Sequence, residues 1–133
     1  MKLYQTLIAF ALVFFSCNTP SPTDQLHQLM DDYHQEALQL YPLSATYQGY
    51  KRYNDYLPNS LSDEFMAQEK KFYSSTLEKL NSLDEQSLSE SDLLSKKVLA
   101  WECDINLKRL EFPTHHLPIN QMWTLQLTIG QLA

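Results

Sequence analysis

His27, Asp31 and His34 stand at i, i+4 and i+7, along one edge of a helix. Imidazole and carboxylate ligands at that spacing can converge on a divalent metal. The same edge flanks an apolar stripe, where solvated polar side chains are ordinary. His115 and His116 are adjacent and point apart in helical or extended backbone, which makes them poor joint ligands; either is a candidate to line a cleft. Glu69 falls inside the apolar face of a predicted helix. Held there it is a candidate acid or base, and pairing with Lys70 or a tyrosine hydroxyl is the structural alternative. Tyr41, Tyr47, Tyr50, Tyr53 and Tyr56 form a cluster suited to flooring a peptide or sugar groove, or to packing a helix–loop corner. Asn120 and Gln121 lie between apolar segments, where their amides can hold backbone groups or a substrate peptide in a cleft. No His-Glu-x-x-His segment occurs, so the sequence assigns no catalytic and no metal-binding residue.

The elements that would position these groups are helical. Glycine occurs only twice, while Leu, Gln, Glu and Lys are plentiful, a balance that disfavours turn-rich sheets. Leu26, Leu29, Met30, Tyr33, Ala37 and Leu40 predict a first amphipathic helix opening at Thr23-Asp24 and ending before Pro42. Pro42 starts a short second helix to Gln48, closed by Gly49, and 50–59 reads as a loop. Ser60 or Ser62 opens a third helix, with Phe65, Phe72, Tyr73, Thr76, Leu77, Leu80 and Leu83 on its buried face. Ser89-Glu90-Ser91-Asp92 announces a fourth helix that runs to about Leu110. This last helix carries two apolar stripes: Leu94, Val98, Trp101 and Ile105 on one side, and Leu99, Cys103, Leu107 and Leu110 on the other. A helix apolar on both sides requires cover on both. The expected fold is all-α: three main helices and one short helix in an incomplete helical domain, with an irregular or extended carboxy-terminal tail.

The amino end has a separate character. Lys2 precedes the apolar run Leu7 to Phe15, which suits a signal-peptide core and is far shorter than the roughly 20 residues that span a bilayer. Ser16-Cys17 and the polar Asn18-to-Thr23 stretch follow, and the arrangement resembles a bacterial lipobox. That resemblance implies a signal peptide over 1–16, acylation of Cys17 with chains such as palmitate, a tether over 17–23 and a body over 24–133. The product would be exported and lipid-anchored to a bacterial membrane, facing the periplasm or the cell exterior. A net charge of -6 without any basic run argues against a nucleic-acid partner. Cys103 would be the only other thiol, packed rather than reactive.

Beyond Phe112-Pro113 the chain reads as irregular, and Leu125 to Ile129 alternates with period two. No charged residue follows Glu111, a pattern of protein interior, and the expectation is that 24–133 is the amino-terminal fragment of a larger helical domain.

Two segments carry a family resemblance. Leu40-Tyr41-Pro42-Leu43-Ser44-Ala45-Thr46-Tyr47-Gln48-Gly49, with Tyr53 and Asp55-Tyr56-Leu57-Pro58, is similar to the opening of the bacterial family named domain of unknown function 885. Phe112-Pro113 and Leu117-Pro118-Ile119-Asn120-Gln121-Met122 resemble its Pro-x-Asn-Gln region. Met122-Trp123-Thr124-Leu125 departs from the glycine-containing continuation, and Tyr50 replaces the usual aspartate beside the glycine. The resemblance implies an exported, gluzincin-like zinc metallopeptidase acting on peptides, with zinc bound by a His-Glu-x-x-Pro-Gly-His segment that this chain lacks. On that reading the chain is the inactive amino-terminal fragment of such an enzyme. The alternative is a small non-catalytic surface lipoprotein that serves as a binding or interaction module.

Overall fold

The computed structural model describes residues 20–113 together with 116, 124, 127, 130 and 131. Among these the fold is all-helical, without strands. Helix α1 spans Pro22–Leu40, α2 Pro42–Tyr47, α3 Asp63–Ser82 and α4 Glu90–Arg109. Lys51–Tyr53 adds one 3-10 turn inside the loop after α2.

Helices α1, α3 and α4 each begin where a serine side chain accepts a free amide of the first turn, while α2 opens on Pro42 without a side-chain cap. Ser62 Oγ accepts from Phe65 N–H at 3.2 Å, and Ser89 Oγ from Asp92 N–H at 3.1 Å. Helix α1 starts earlier than Thr23-Asp24 would suggest. Ser21 Oγ caps Asp24 N–H at 3.1 Å, and Pro22 fits the first turn, where its missing N–H costs nothing. Helix α2 closes on Gly49, whose φ of 87° lies in the left-handed region. Tyr50 N–H returns to Ala45 O and Gly49 N–H to Thr46 O, both at 2.9 Å, which satisfies the last carbonyls of the helix. Lys108 and Arg109 in the final turn of α4 complement its negative end.

Helix α3 packs mainly on α4, and α1 lies across both. Leu26, Leu29, Phe72, Tyr73, Leu80, Leu99 and Cys103 form one buried cluster. Tyr33 stacks on Phe72 with ring centres 4.9 Å apart, joining α1 to α3. In the tail, Leu127, Gly130 and Gln131 have helical backbone, and Thr124 Oγ1 accepts from Leu127 N–H at 3.3 Å. The alternation over 125–129 is not followed at Leu127, where leucine and glutamine favour helix and Thr124 offers a cap.

Candidate functional site

Helix α4 has two unlike environments on its two apolar sides. Leu99 and Cys103 face the core, with Lys96 between them and the turn after α3. On the opposite side Leu94, Val98, Trp101 and Ile105 are 64%, 56%, 65% and 45% exposed. Met30 and Tyr33 of α1 flank this outer stripe and form a groove with Leu94 and Val98. Tyr33 is held there by its hydroxyl, which donates to Glu102 Oε1 at 2.8 Å. Burial first, and then that bond to a carboxylate, raise the Tyr33 phenol above its ordinary range.

Glu69 is 5% exposed and sits at the centre of a polar chain. Its Oε1 accepts from Tyr41 Oη at 2.7 Å and from Arg109 Nη2 at 2.8 Å. Tyr41 spends its proton on Glu69, so Tyr73 donates to the Tyr41 oxygen at 2.8 Å. Burial is the main cause that raises both the Tyr41 and the Tyr73 hydroxyl, so both stay protonated. The sequence offered Glu69 either Lys70 or a tyrosine hydroxyl; the hydroxyl is realised, and the cation comes from Arg109. Its carboxylate is thus committed to the junction of α1, α3 and α4.

The proposed metal edge diverges. His27 Nε2 lies 3.0 Å from Asp92 Oδ1 on α4, and His34 turns to the Tyr50 hydroxyl at 3.5 Å and packs edge-on against its ring. Asp31 is exposed. Among the described residues no group of three or more His, Cys, Asp or Glu side chains gathers as a metal site. The tyrosine cluster also divides. Tyr41 enters the Glu69 chain, Tyr47, Tyr50 and Tyr56 are exposed, and Tyr53 lies under the Arg52 guanidinium at 5.7 Å. Tyr53 and Tyr56 share a cleft with Glu36, Gln39, Gln68 and the edges of Phe65 and Phe72. His116 is exposed in a turn. Cys17, His115, Asn120 and Gln121 lie outside the described residues.

Cys103 is fully buried, and burial pushes its thiol from 9.0 to about 11. A thiol that stays protonated at neutral pH and is closed to solvent is a poor nucleophile. Lys96 is the polar residue that pattern reading missed. It is 5% exposed, and its ammonium donates to Leu83 O at 3.1 Å and to Glu85 at 2.9 Å. The signal was its spacing of three and seven from Leu99 and Cys103, which puts it on the inner face. Its stem packs while its charge reaches the open carbonyl after α3.

The His27–Asp92 contact sets a pH dependence. The hydrogen bond with His27 is the main cause that holds the Asp92 carboxyl below its ordinary value of 3.8. A depressed carboxyl contributes stability above its unfolded-state pKa and loses it as pH falls through the folded-state value. His27→Ala is therefore expected to melt lower than the parent at pH 7, and the two to converge below pH 3.8. A constant difference across a pH series of thermal melts would contradict this assignment.

Among the described residues no helix is long and apolar enough to cross a membrane. A scan of family models finds no match, and neither the curated proteins nor the solved structures compared with the chain match it. Fold and surface together define the class: an all-helical domain with a capped, internally bonded core and one apolar helix face turned outward.

Proposed function

We propose that this domain is a non-catalytic interaction module, carried outside the cytoplasm on an acylated Cys17, with the outer face of α4 as its working surface. The observation that carries the reading is the alignment of Leu94, Val98, Trp101 and Ile105, all exposed, directly opposite the core face of the same helix. Contiguous apolar side chains on a folded domain mark a protein contact. The groups best suited to chemistry support this reading by being engaged elsewhere, Glu69 in its hydrogen-bonded chain and Cys103 in the core.

Val98→Asp tests it. Because Val98 is outside the core, the variant should keep its melting behaviour to within about 0.5 kcal/mol. The readout is Trp101 emission in the membrane of the producing bacterium, measured with Trp123 replaced by Phe. A covered Trp101 emits at shorter wavelength in the parent and shifts red in Val98→Asp. A Trp101 that emits as solvent-exposed in both would refute the module.

The two segments 40–49 and 112–122 favour a second reading, in which the chain is the amino-terminal helical part of an exported zinc peptidase. Further helices of that enzyme would then cover α4, and Asn120 and Gln121 would border its peptide cleft. Zinc would be held by residues outside this chain. A coding sequence that continues in frame past Ala133 into a His-Glu-x-x-Pro-Gly-His segment supports this reading; an unrelated continuation removes it.

A further inference from the structure

The outer residues of α4 are spaced four, three and four apart, Leu94 to Val98 to Trp101 to Ile105. That is the narrow two-position seam of a coiled coil, in contrast to the broader stripe of a helix packed into a globular core. In heptad terms Leu94 and Trp101 occupy d, and Val98 and Ile105 occupy a. Lys96 and Cys103 then fall at f, diametrically opposite, and both are buried in the domain's own core. The seam therefore lies on the side of α4 away from that core, with Met30 and Tyr33 of α1 along one edge beside Leu94 and Val98.

The residues at the seam say what fits it. Both a positions are β-branched and Leu94 stands at d, the combination that favours two parallel strands. The flanking g positions are Lys97 and Asp104, and the e positions are Ser95, Glu102 and Arg109. In a parallel pair each g side chain meets the e side chain five residues further along the other helix. Lys97 would meet Glu102 of the second copy, and Asp104 would meet Arg109 of the second copy. Both pairs are opposite in sign, and twofold symmetry repeats each of them. The internal contacts leave room for this. Only one Glu102 oxygen is used by Tyr33, only one Asp104 oxygen by Lys108 of the same helix, and only one terminal Arg109 nitrogen by Glu69.

We infer that α4 pairs in parallel with α4 of a second copy of this chain, which deepens the interaction-module reading and rests on it. The seam covers under two heptads, so free chains pair weakly, because sustained coiled coils run for three or four. A shared membrane raises the effective concentration of anchored chains, and parallel pairing keeps both amino ends on the same side. Trp101 is larger than the leucine usual at d and spreads the helices at its level.

Sedimentation equilibrium of the full chain in density-matched detergent tests the pairing, with Lys97→Glu to set like charges against each other. The parent is expected to dimerise reversibly and the variant about tenfold more weakly. Lys97→Glu combined with Glu102→Lys should restore the parent affinity to within about threefold, since opposite charges face each other again. Val98→Cys should cross-link to itself under mild oxidation in lipid vesicles, because a meets a only in a parallel pair, while buried Cys103 stays out of reach. A chain that is monomeric at every concentration, or a dimer indifferent to the charge exchange, overturns self-pairing. If Trp101 is nonetheless shielded in the native membrane, the module stands and its partner is a different protein. If Trp101 is also exposed there, both readings fall.

Discussion

Leu80→Ala is expected to lower the stability of the domain by about 2–5 kcal/mol, the usual cost of emptying a fully buried leucine site. Leu80 has no exposed surface and belongs to the cluster where α1, α3 and α4 meet. Rigid helices on three sides prevent collapse into the void, so the cavity adds to the lost transfer energy. In a domain of this size each kcal/mol corresponds to about 4–8 °C in melting temperature, and the loss is a large share of a total of about 5–15 kcal/mol. Thermal melts followed by the helical circular-dichroism signal measure it. A shift no larger than that of Val98→Ala on the outer face would mean that α3 and α4 do not share this core.

Glu69→Ala is the second large effect, expected at about 2–3 kcal/mol. The substitution takes the acceptor from Tyr41 and the counter-charge from Arg109 in one step. Arg109 is 44% exposed on its side chain and can rehydrate, which keeps the loss below that of breaking a wholly buried ion pair. Tyr41→Phe should cost less, because Arg109 still holds Glu69. Tyr73→Phe should cost least, about 0.5–1.5 kcal/mol, since it removes only the terminal donor. Members of one chain act together, so Tyr41→Phe added to Glu69→Ala should cost clearly less than the sum of the two. Strict additivity in that double-mutant cycle would contradict the network. Alkali provides a second handle. The hydroxyls of Tyr41 and Tyr73 are raised by burial above the ordinary 10.0, so their contribution is complete below that pH and is lost as pH rises above it. Tyr41→Phe should therefore lose less stability than the parent between neutral pH and strong alkali.

The helix boundaries were legible because caps work over three or four residues. Ser62, Ser89-x-x-Asp92 and Pro42 with Gly49 each act on neighbours within one turn, and the structure places helix ends at all of them. Ser21 was overlooked because Pro22 and Thr23 read as tether, although proline suits a first helical turn. Glu69 was recognisable as an anomaly on an apolar face, and a tyrosine hydroxyl as one kind of partner, but not that Tyr41 and Arg109 would be the ones to reach it. Arg109 lies 40 residues away, as Asp92 lies 65 from His27 and Glu102 lies 69 from Tyr33. Such pairs depend on how the helices cross, which no local pattern encodes.

Local pattern was enough to show that the body is helical, where α2, α3 and α4 start, and that α4 is apolar on two sides, since propensity, caps and periodicity all act along one stretch of chain. Which side became interior was decided only in three dimensions. Leu99 with Cys103 and Leu94 with Val98 are comparable in apolar character, and the difference arose when α3 and α1 closed over one of the two. Burial belongs to the assembly of helices, because the free energy of removing a side chain from water depends on what covers it.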